Sequence, residues 1–285
     1  MLLSRLLACK NPLLISAGAI WGANTLGFAV TALTHTHKIT DITGTGAFVV
    51  SAWATYGAYH YQHNLLSPGK SMPLRPLLLA VAVSFWGARL GSFLFSRIMQ
   101  SPTDSRLSKF FPKPGELPIQ LAGFWNLQAC WAFFSLLPIT MAHKMPAAKA
   151  VGSGALARAA GPLGWTLFVC GLACEALADH QKSNFKARPG NAEAFCNEGI
   201  WNYSRHPNYF GEVALWWGIW MVAAPYVPKW CAVSPLWVTL LLVGVSGIPI
   251  MENKYNDKFV GDHPLTAAYA QYKASTSILV PLPKF

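Results

Sequence analysis

One segment near the C-terminal end of the sequence concentrates the side chains that could do chemistry. It runs from Gly199 to Gly218 and reads GIWNYSRHPNYFGEVALWWG. Five polar side chains fall within eight of its residues: Arg205, His206, Asn208, Tyr209 and Glu212. A charged side chain in the middle of a bilayer costs at least about 2.5 kcal/mol. A cluster of this density beside an apolar run therefore indicates charged partners or a ligand.

The order of these residues predicts a helix that begins at an anion-binding site. Pro207 suits the first turn of a helix, where its missing N–H is not needed. The backbone N–H groups at such a helix start, together with Arg205 and His206, suit a phosphate or a carboxylate. Asn208 and Glu212 are four residues apart and therefore share one helix face. The alternative interpretation is an interfacial salt-bridge cluster that only terminates the helix.

A second polar set precedes this segment. It comprises Glu175, Asp179, Lys182 and Lys186. Their spacings of 4, 3 and 4 residues place all four on one helical stripe. The stripe could face the same site, or it could consist of side chains that reach water where the helix leaves the membrane.

A third polar set follows the last apolar run. It comprises Glu252, Lys254, Tyr255, Tyr269, Tyr272 and Lys273. We expect this set to cover the cluster around Arg205, and a solvated tail is the alternative.

Other kinds of site are not indicated. The pairs His35/His37 and His60/His63 have no carboxylate or cysteine at a supporting spacing, so no metal site is predicted. The sequence also lacks the GxGxxG, Walker and GxSxG patterns of dinucleotide-binding domains, nucleotide hydrolases and serine hydrolases. A nucleotide would have to bind to the polar cluster itself.

The composition shows what kind of structure must position these residues. Of the 285 residues, 53% are apolar and 12% are charged, and an average soluble domain has about twice that share of charge. Three stretches of 27, 28 and 27 residues, after Lys10, Asp41 and Glu116, contain no Asp, Glu, Lys or Arg. Each exceeds the roughly 20 residues with which a helix crosses a bilayer. The chain is therefore predicted to be a polytopic membrane protein.

The apolar runs predict an all-α bundle of about seven transmembrane helices. The predicted spans are residues 12–34, 44–65, 74–99, 118–141, 161–182, 209–225 and 233–252. Seven spans leave too few residues for a separate soluble domain, so residues 1–285 are expected to form one membrane domain. Residues 1–11, with Arg5 and Lys10 and no acidic residue, are interpreted as a basic N-terminal anchor.

The formal net charge of +11 indicates which binding partners the chain favours. The basic residues stand singly in short loops, so we expect anionic lipids and no nucleic acid as partners. The loops after the first, third and fifth spans, with the C-terminal tail, hold 12 Lys and Arg, and the opposite side holds 8. The positive-inside rule therefore predicts the C-terminal tail on the cytosolic or matrix side. The six cysteines form no CxxC pair and are expected to be reduced.

The polar segments carry a resemblance to a known family. The string WNYSRHPNYFG from Trp201 to Gly211, followed by Glu212, is similar to the DUF1295 membrane proteins, which are related to the C-terminal domain of steroid 5-alpha-reductases. The resemblance extends to Asp179–Lys182, to Glu252 with Tyr255, and to Tyr272 and Pro281. It spans residues 38–285, with its core at 161–285.

The resemblance implies an NADPH-dependent reductase of a carbon–carbon double bond in a lipid or steroid-like substrate. Implied cofactor-binding residues are Asp179, Lys182, Lys186, Arg205, His206, Asn208 and Glu252. Implied catalytic residues are Tyr209, Tyr255 and Glu212, with a tyrosine as proton donor. The expected location is an endomembrane or the mitochondrial inner membrane.

Two alternatives stay open. The wider superfamily includes isoprenylcysteine carboxyl methyltransferases, so a lipid or prenylcysteine methyltransferase that uses S-adenosylmethionine is one. The other is a non-catalytic subunit that retains the fold and has further membrane subunits as partners. The sequence Met251-Glu252-Asn253-Lys254 departs from both the methyltransferase and the reductase patterns. It therefore does not decide between the two enzymes or against a non-catalytic subunit.

Overall fold

The computed structural model describes residues 9–36, 38–63, 74–100, 118–144 and 155–284. Most of the predicted anchor over residues 1–11 lies outside this part of the chain, as does His37. Within the described ranges every regular element is helical, and one isolated β-bridge joins Ser204 to Ser277. The predicted all-helical class is confirmed.

The chain divides into two compact units. The first consists of Met1–Ala157 with Ala223–Ser234, and the second of Arg158–Val222 with Pro235–Phe285. The single membrane domain predicted over the whole chain stays a prediction. The polar sets of the sequence analysis belong to the second unit.

The first unit is built on five helices in the described residues. They are α1 (Pro12–Thr34), α2 (Thr40–Gln62), α3 (Leu74–Gln100), α4 (Ile119–Ser135) and α5 (Leu137–Ala142). Helix α2 packs against both α1 and α3. Phe48 on α2 meets Trp86 and Trp131 edge-on, with ring centroids 4.9 and 4.6 Å apart, which is a favourable geometry for aromatic pairs.

The second unit is built on five further helices. They are α6 (Ala155–Ala187), α7 (Pro207–Ala223), α8 (Val233–Leu240), α9 (Ile248–Lys258) and α10 (Thr266–Ser275). A π-helical turn over Leu241–Val245 separates α8 from α9. Pro249 lies in the first turn of α9, where a proline is tolerated. This break starts a new helix just before Glu252.

Two pairs of glycines bring α6 and α7 into backbone contact. Gly164 and Gly171 on α6 face Gly218 and Gly211 on α7. A Cβ atom at Gly171 would lie 2.6 Å from the Gly211 carbonyl oxygen, and one at Gly164 would lie 2.7 Å from that of Gly218. The seven-residue spacing on each helix repeats the contact two turns further along. Small residues of this kind let membrane helices approach closely.

Among the described residues, four helical segments are long and apolar enough to cross a membrane. They are Pro12–Thr34, Leu74–Met99, Ala159–Ala187 and Lys229–Lys258. Helices α4 and α7 have 17 residues each, or about 26 Å, which is less than the roughly 30 Å of a hydrocarbon core. Helix α2 is longer but is rich in Thr, Ser, Tyr and His. The segments indicate a membrane protein, and the predicted count of seven spans is not confirmed.

The contact between α6 and α7 predicts a size limit at Gly211. In Gly211→Ala the new methyl group would lie 2.5 Å from the Gly171 carbonyl oxygen and 2.6 Å from the Glu175 backbone nitrogen. We expect a loss of about 1–3 kcal/mol, because backbone atoms must move to make room. Thermal unfolding in detergent should show a lower Tm.

Gly161→Ala is the matched control, because nothing lies within 4 Å of a Cβ atom at this position of α6. There we expect an unchanged or slightly higher Tm, since Ala is a better helix former than Gly. An equal response of the two variants would contradict the close contact.

Candidate functional site

The loop before α7 is fixed by the C-terminal tail. The Arg205 N–H donates to the Ser277 carbonyl at 2.8 Å, and the Ser204 hydroxyl donates to the Leu279 carbonyl at 2.7 Å. The Leu282 N–H donates in turn to the Tyr203 carbonyl at 3.0 Å. These bonds hold residues 203–205 against the tail, so the Arg205 and His206 side chains project from a backbone segment that is fixed at its start.

Trp201 is fixed from two directions. Its indole N–H donates to the Ala178 carbonyl on α6 at 2.9 Å, and its own carbonyl accepts from the Tyr272 hydroxyl at 2.5 Å. The preceding turn begins at Gly199, whose φ of +58° favours glycine, and the Gln181 amide packs against it. The Lys182 ammonium lies 4.5 Å from the centre of the Trp201 ring, a cation–π distance.

A carboxylate holds the two cationic residues of the motif together. Glu252 on α9 forms a salt bridge with Arg205 through one oxygen and accepts from His206 Nε2 at 2.8 Å through the other. The Arg205 and Glu252 side chains are only 12% and 13% exposed, and that of His206 is 5% exposed. The contact assigns the proton of neutral His206 to Nε2. Tyr209 stacks on the imidazole, with the two rings 3° from parallel.

These residues border a recess of about 320 Å³ in the second unit. Its polar lining consists of Lys182, Arg205, His206 and Glu252. The rest of its wall is Cys196 with five aromatic side chains: Phe195, Trp201, Tyr255, Tyr269 and Tyr272. A few convergent polar groups in an aromatic wall are typical of a small-molecule site.

Burial sets the protonation states around the recess. It raises the pKa of Tyr269 to about 12 and also raises that of Tyr272, so both hydroxyls keep their protons at neutral pH. Burial lowers the pKa of His206, although the bond to Glu252 acts in the opposite direction. Burial also raises the pKa of the Cys196 thiol, which makes it a poor nucleophile.

Several buried polar atoms in this region make no hydrogen bond of standard geometry within the described residues. They include Arg205 Nε, a donor, Asn208 Oδ1, an acceptor, and the Tyr269 hydroxyl. A buried polar atom without a partner costs about 1–3 kcal/mol. These atoms therefore supply hydrogen-bonding capacity that a bound molecule could use.

The structure brings together half of the residues predicted for the site. Lys182, Arg205, His206, Glu252 and Tyr255 line the recess. Asp179, Asn208, Tyr209 and Glu212 are not part of its lining. Asp179 and Glu212 are buried, at 7% and 9% exposure.

Lys186 has a separate position. Its ammonium donates to the carbonyls of Ala192, at 2.8 Å, and Ala194. Lys186 therefore stabilises the loop after α6 and does not line the recess. This loop carries Phe195 and Cys196, which sequence reasoning did not predict. No motif marks these two residues, and only their position in the folded loop brings them to the recess.

Comparison with known families supplies the identity of the fold. A model of DUF1295, described as a protein of unknown function, matches residues 27–276. The chain belongs to the DUF1295 family. The match extends from within α1 to the end of α10, so the DUF1295 region includes the main part of both units and every residue of the recess. Comparisons with curated proteins and with solved structures found no match.

The paired charges predict the effect of removing the Glu252 carboxylate. In Glu252→Gln the Arg205 guanidinium would stay largely buried without its counter-charge, although the amide retains one acceptor. We expect a loss of about 2–3 kcal/mol, less than the 3–5 kcal/mol of a fully broken buried pair. Thermal unfolding in detergent is the measurement.

Glu198→Gln is the matched control. Glu198 pairs with Arg188 at 2.8 Å, but these side chains are 48% and 55% exposed, and exposed pairs contribute about 0–1 kcal/mol. A Tm of Glu252→Gln that is no lower than that of Glu198→Gln would show that the buried pair does not stabilise this DUF1295 protein.

The lowered pKa of His206 predicts a dependence of stability on pH. An unfolded histidine titrates near pH 6.5 and the folded His206 below it. The stability associated with neutral His206 is therefore complete above about pH 6.5 and is lost as the pH falls below that value. In His206→Gln, which keeps a donor near Nε2 but does not titrate, the curve of Tm against pH should be flatter between pH 7 and pH 5.

His180→Gln, at an exposed position of α6, is the control variant. It should keep the slope of the unmodified protein. Parallel curves for all three proteins would exclude His206 as the source of the dependence.

Proposed function

We propose that this DUF1295 protein is a membrane-embedded reductase that uses NADPH to reduce a carbon–carbon double bond in a lipid or steroid-like substrate. The observation that carries the proposal is the recess itself, where Lys182 and Arg205 converge with an aromatic wall. The similarity of the Trp201–Gly211 string to steroid 5-alpha-reductases supports the choice of reaction.

The lining of the recess suits a phosphorylated cofactor. The basic residues of the lining are Lys182 and Arg205, and Glu252 is the only carboxylate in the lining formed by described residues. Ammonium and guanidinium groups both donate charge-assisted hydrogen bonds to phosphate oxygens. S-adenosylmethionine carries a cationic sulfonium and no phosphate, so the same lining suits it less.

The charged residues of the lining have separate tasks. Lys182 and Arg205 would bind the phosphate groups. The predicted contacts of Asn208 and Asp179 with ribose or amide groups require a cofactor that reaches beyond the recess, because neither residue lines it. Glu252 keeps Arg205 oriented. The recess is small and open to solvent, so it would take only one end of a dinucleotide, and the remainder would extend out of it.

Proton donation falls to a tyrosine. When bound, NADPH supplies the hydride for the double bond. A hydroxyl that keeps its proton at neutral pH can donate it to a carbonyl oxygen as negative charge develops there. Tyr255 lines the recess, whereas Tyr209 stacks on His206. We therefore favour Tyr255, with Glu212 and Tyr209 supporting the start of α7.

The membrane setting completes the proposal. Helical segments occur at all seven predicted spans, so we propose seven crossings with the C-terminal tail on the cytosolic or matrix side of an endomembrane or the mitochondrial inner membrane. A lipid substrate would then reach the protein from within the bilayer, and water would stay excluded from the reaction.

The decisive experiment measures cofactor binding by the purified full chain in detergent. The fluorescence of NADPH reports the binding. We expect binding that weakens about tenfold or more in Lys182→Gln, because a charge-assisted bond contributes about 1.5–3 kcal/mol. Lys182→Gln leaves the pair of Arg205 and Glu252 intact, so the fold should persist. Arg205→Ala should weaken binding further.

Arg188→Ala is the control, because this exposed arginine pairs with Glu198 outside the recess lining. It should bind NADPH like the unmodified chain. Binding of S-adenosylmethionine without NADPH would overturn the reductase in favour of the methyltransferase. Binding of neither cofactor by a folded preparation would overturn both enzymes in favour of a non-catalytic subunit.

A further inference from the structure

The first unit contains a second polar recess, of about 280 Å³ and open to solvent. Six of its lining residues could bind an anion or fix those that do: Lys10, Thr55, Tyr59, His63, His143 and Lys144. They come from the start of α1, the end of α2 and the segment after α5. None of them belongs to the site described above.

The walls of this recess are tied together by hydrogen bonds. The Gln62 side-chain amide donates to the Cys9 carbonyl at 2.6 Å, which joins the end of α2 to the start of α1. His143 lies 2.8 Å from the Thr55 hydroxyl through Nδ1 and 3.2 Å from the Pro76 carbonyl through Nε2. The backbone positions of the lining are therefore well defined without a ligand.

The charge of this region has one sign. The sequence contains no Asp or Glu in residues 1–40, 42–103 and 117–174, and these ranges supply the whole lining. Lys10 and Lys144 are exposed at its edge. In the recess of the second unit, by contrast, a carboxylate neutralises the cations. Here the positive charge has no acidic side chain nearby in sequence and attracts an anion from outside the protein.

A buried histidine adjoins the recess. His60 is 3% exposed, and neither ring nitrogen has a hydrogen-bond partner in the structure. It follows Tyr59 directly and lies one turn before His63, both of which line the recess. A neutral imidazole always carries one N–H, and leaving it buried and unpaired costs about 1–3 kcal/mol. His60 itself is not part of the lining; its ring packs against Tyr56, with the ring centroids 4.2 Å apart.

Apolar side chains surround the same helix ends. Leu14 in the first turn of α1 is 62% exposed, Tyr61 in the last turn of α2 is 52% exposed, and Leu74 at the start of α3 is 64% exposed. Exposed apolar side chains beside exposed lysines provide contacts for both parts of an amphiphile. A free anion would use only the polar part.

We propose that this recess binds the anionic phosphate head group of a membrane lipid, with the acyl chains along the exposed apolar side chains of α1 and α3. Lys10 and Lys144 provide the charge and donate hydrogen bonds to the phosphate oxygens, and the Tyr59 and His63 side chains lie in the same lining. The proposal is independent of the reductase reaction.

The test uses the full chain in a neutral detergent. Dioleoylphosphatidylglycerol is titrated in, and dioleoylphosphatidylcholine and inorganic phosphate are titrated in separately, with Tm and binding affinity as readouts. We expect phosphatidylglycerol alone to raise the Tm. In Lys144→Gln its affinity should fall about fivefold, as expected for the loss of one lysine near an anionic lipid.

Lys229→Gln is the matched control, because it removes an exposed lysine of the same unit that does not line the recess. Its affinity should be unchanged, and the Tm without added lipid reports whether each variant is folded. Equal losses in the two variants, or equal stabilisation by the two lipids, would overturn the site. Full stabilisation by inorganic phosphate would overturn the assignment to a lipid.

Discussion

The carboxylate of Glu252 determines the arrangement of the second unit's site. It joins the loop before α7 to a helix that begins more than forty residues later, through one oxygen to Arg205 and the other to His206. Each of the three groups would be costly to bury alone, because a largely buried charge loses its hydration. Together they compensate one another. The recess exists where these three side chains, the aromatic wall and Lys182 meet.

The backbone around this interaction is fixed separately from its side chains. Residues 203–205 bond to the C-terminal tail, and Trp201 bonds to α6 and to Tyr272. The loop before α7 is thus held by backbone bonds, whereas Arg205 Nε and Asn208 Oδ1 make no hydrogen bond of standard geometry. These side-chain atoms are the ones that the proposed ligand would use.

Local patterns predicted the helices well and the tertiary arrangement only in part. The charge-free run after Lys10 gave the bounds of α1 to the residue, because Asn11 supplies a capping side chain and Pro12 starts the helix. Hydropathy did not separate α4 and α7, with 17 residues each, from full-length spans. In the site, burial costs grouped Asp179, Lys182, Arg205, His206, Asn208 and Glu212, of which Lys182, Arg205 and His206 line the recess. Lys186 shares the stripe of Lys182 in sequence, but near the end of α6 its long side chain reaches loop carbonyls instead. Phe195 and Cys196 could not be predicted, since a loop without a pattern carries no signal of where it folds.

The two recesses differ in whether a carboxylate lies beside the cations, and the net charge of the chain does not reveal this difference. The chain has 11 acidic residues, and the ranges that line the first unit's recess contain none of them. A cation that has a carboxylate partner, as Arg205 has in Glu252, is held in one orientation and can position a ligand within a defined site. A lysine without a carboxylate keeps its full attraction for anions but is oriented less strictly. Such a lysine suits a mobile head group at a membrane surface, where affinity matters more than geometry. In a chain with a net charge of +11, the two proposed kinds of anion recognition thus differ in whether a carboxylate accompanies the cations.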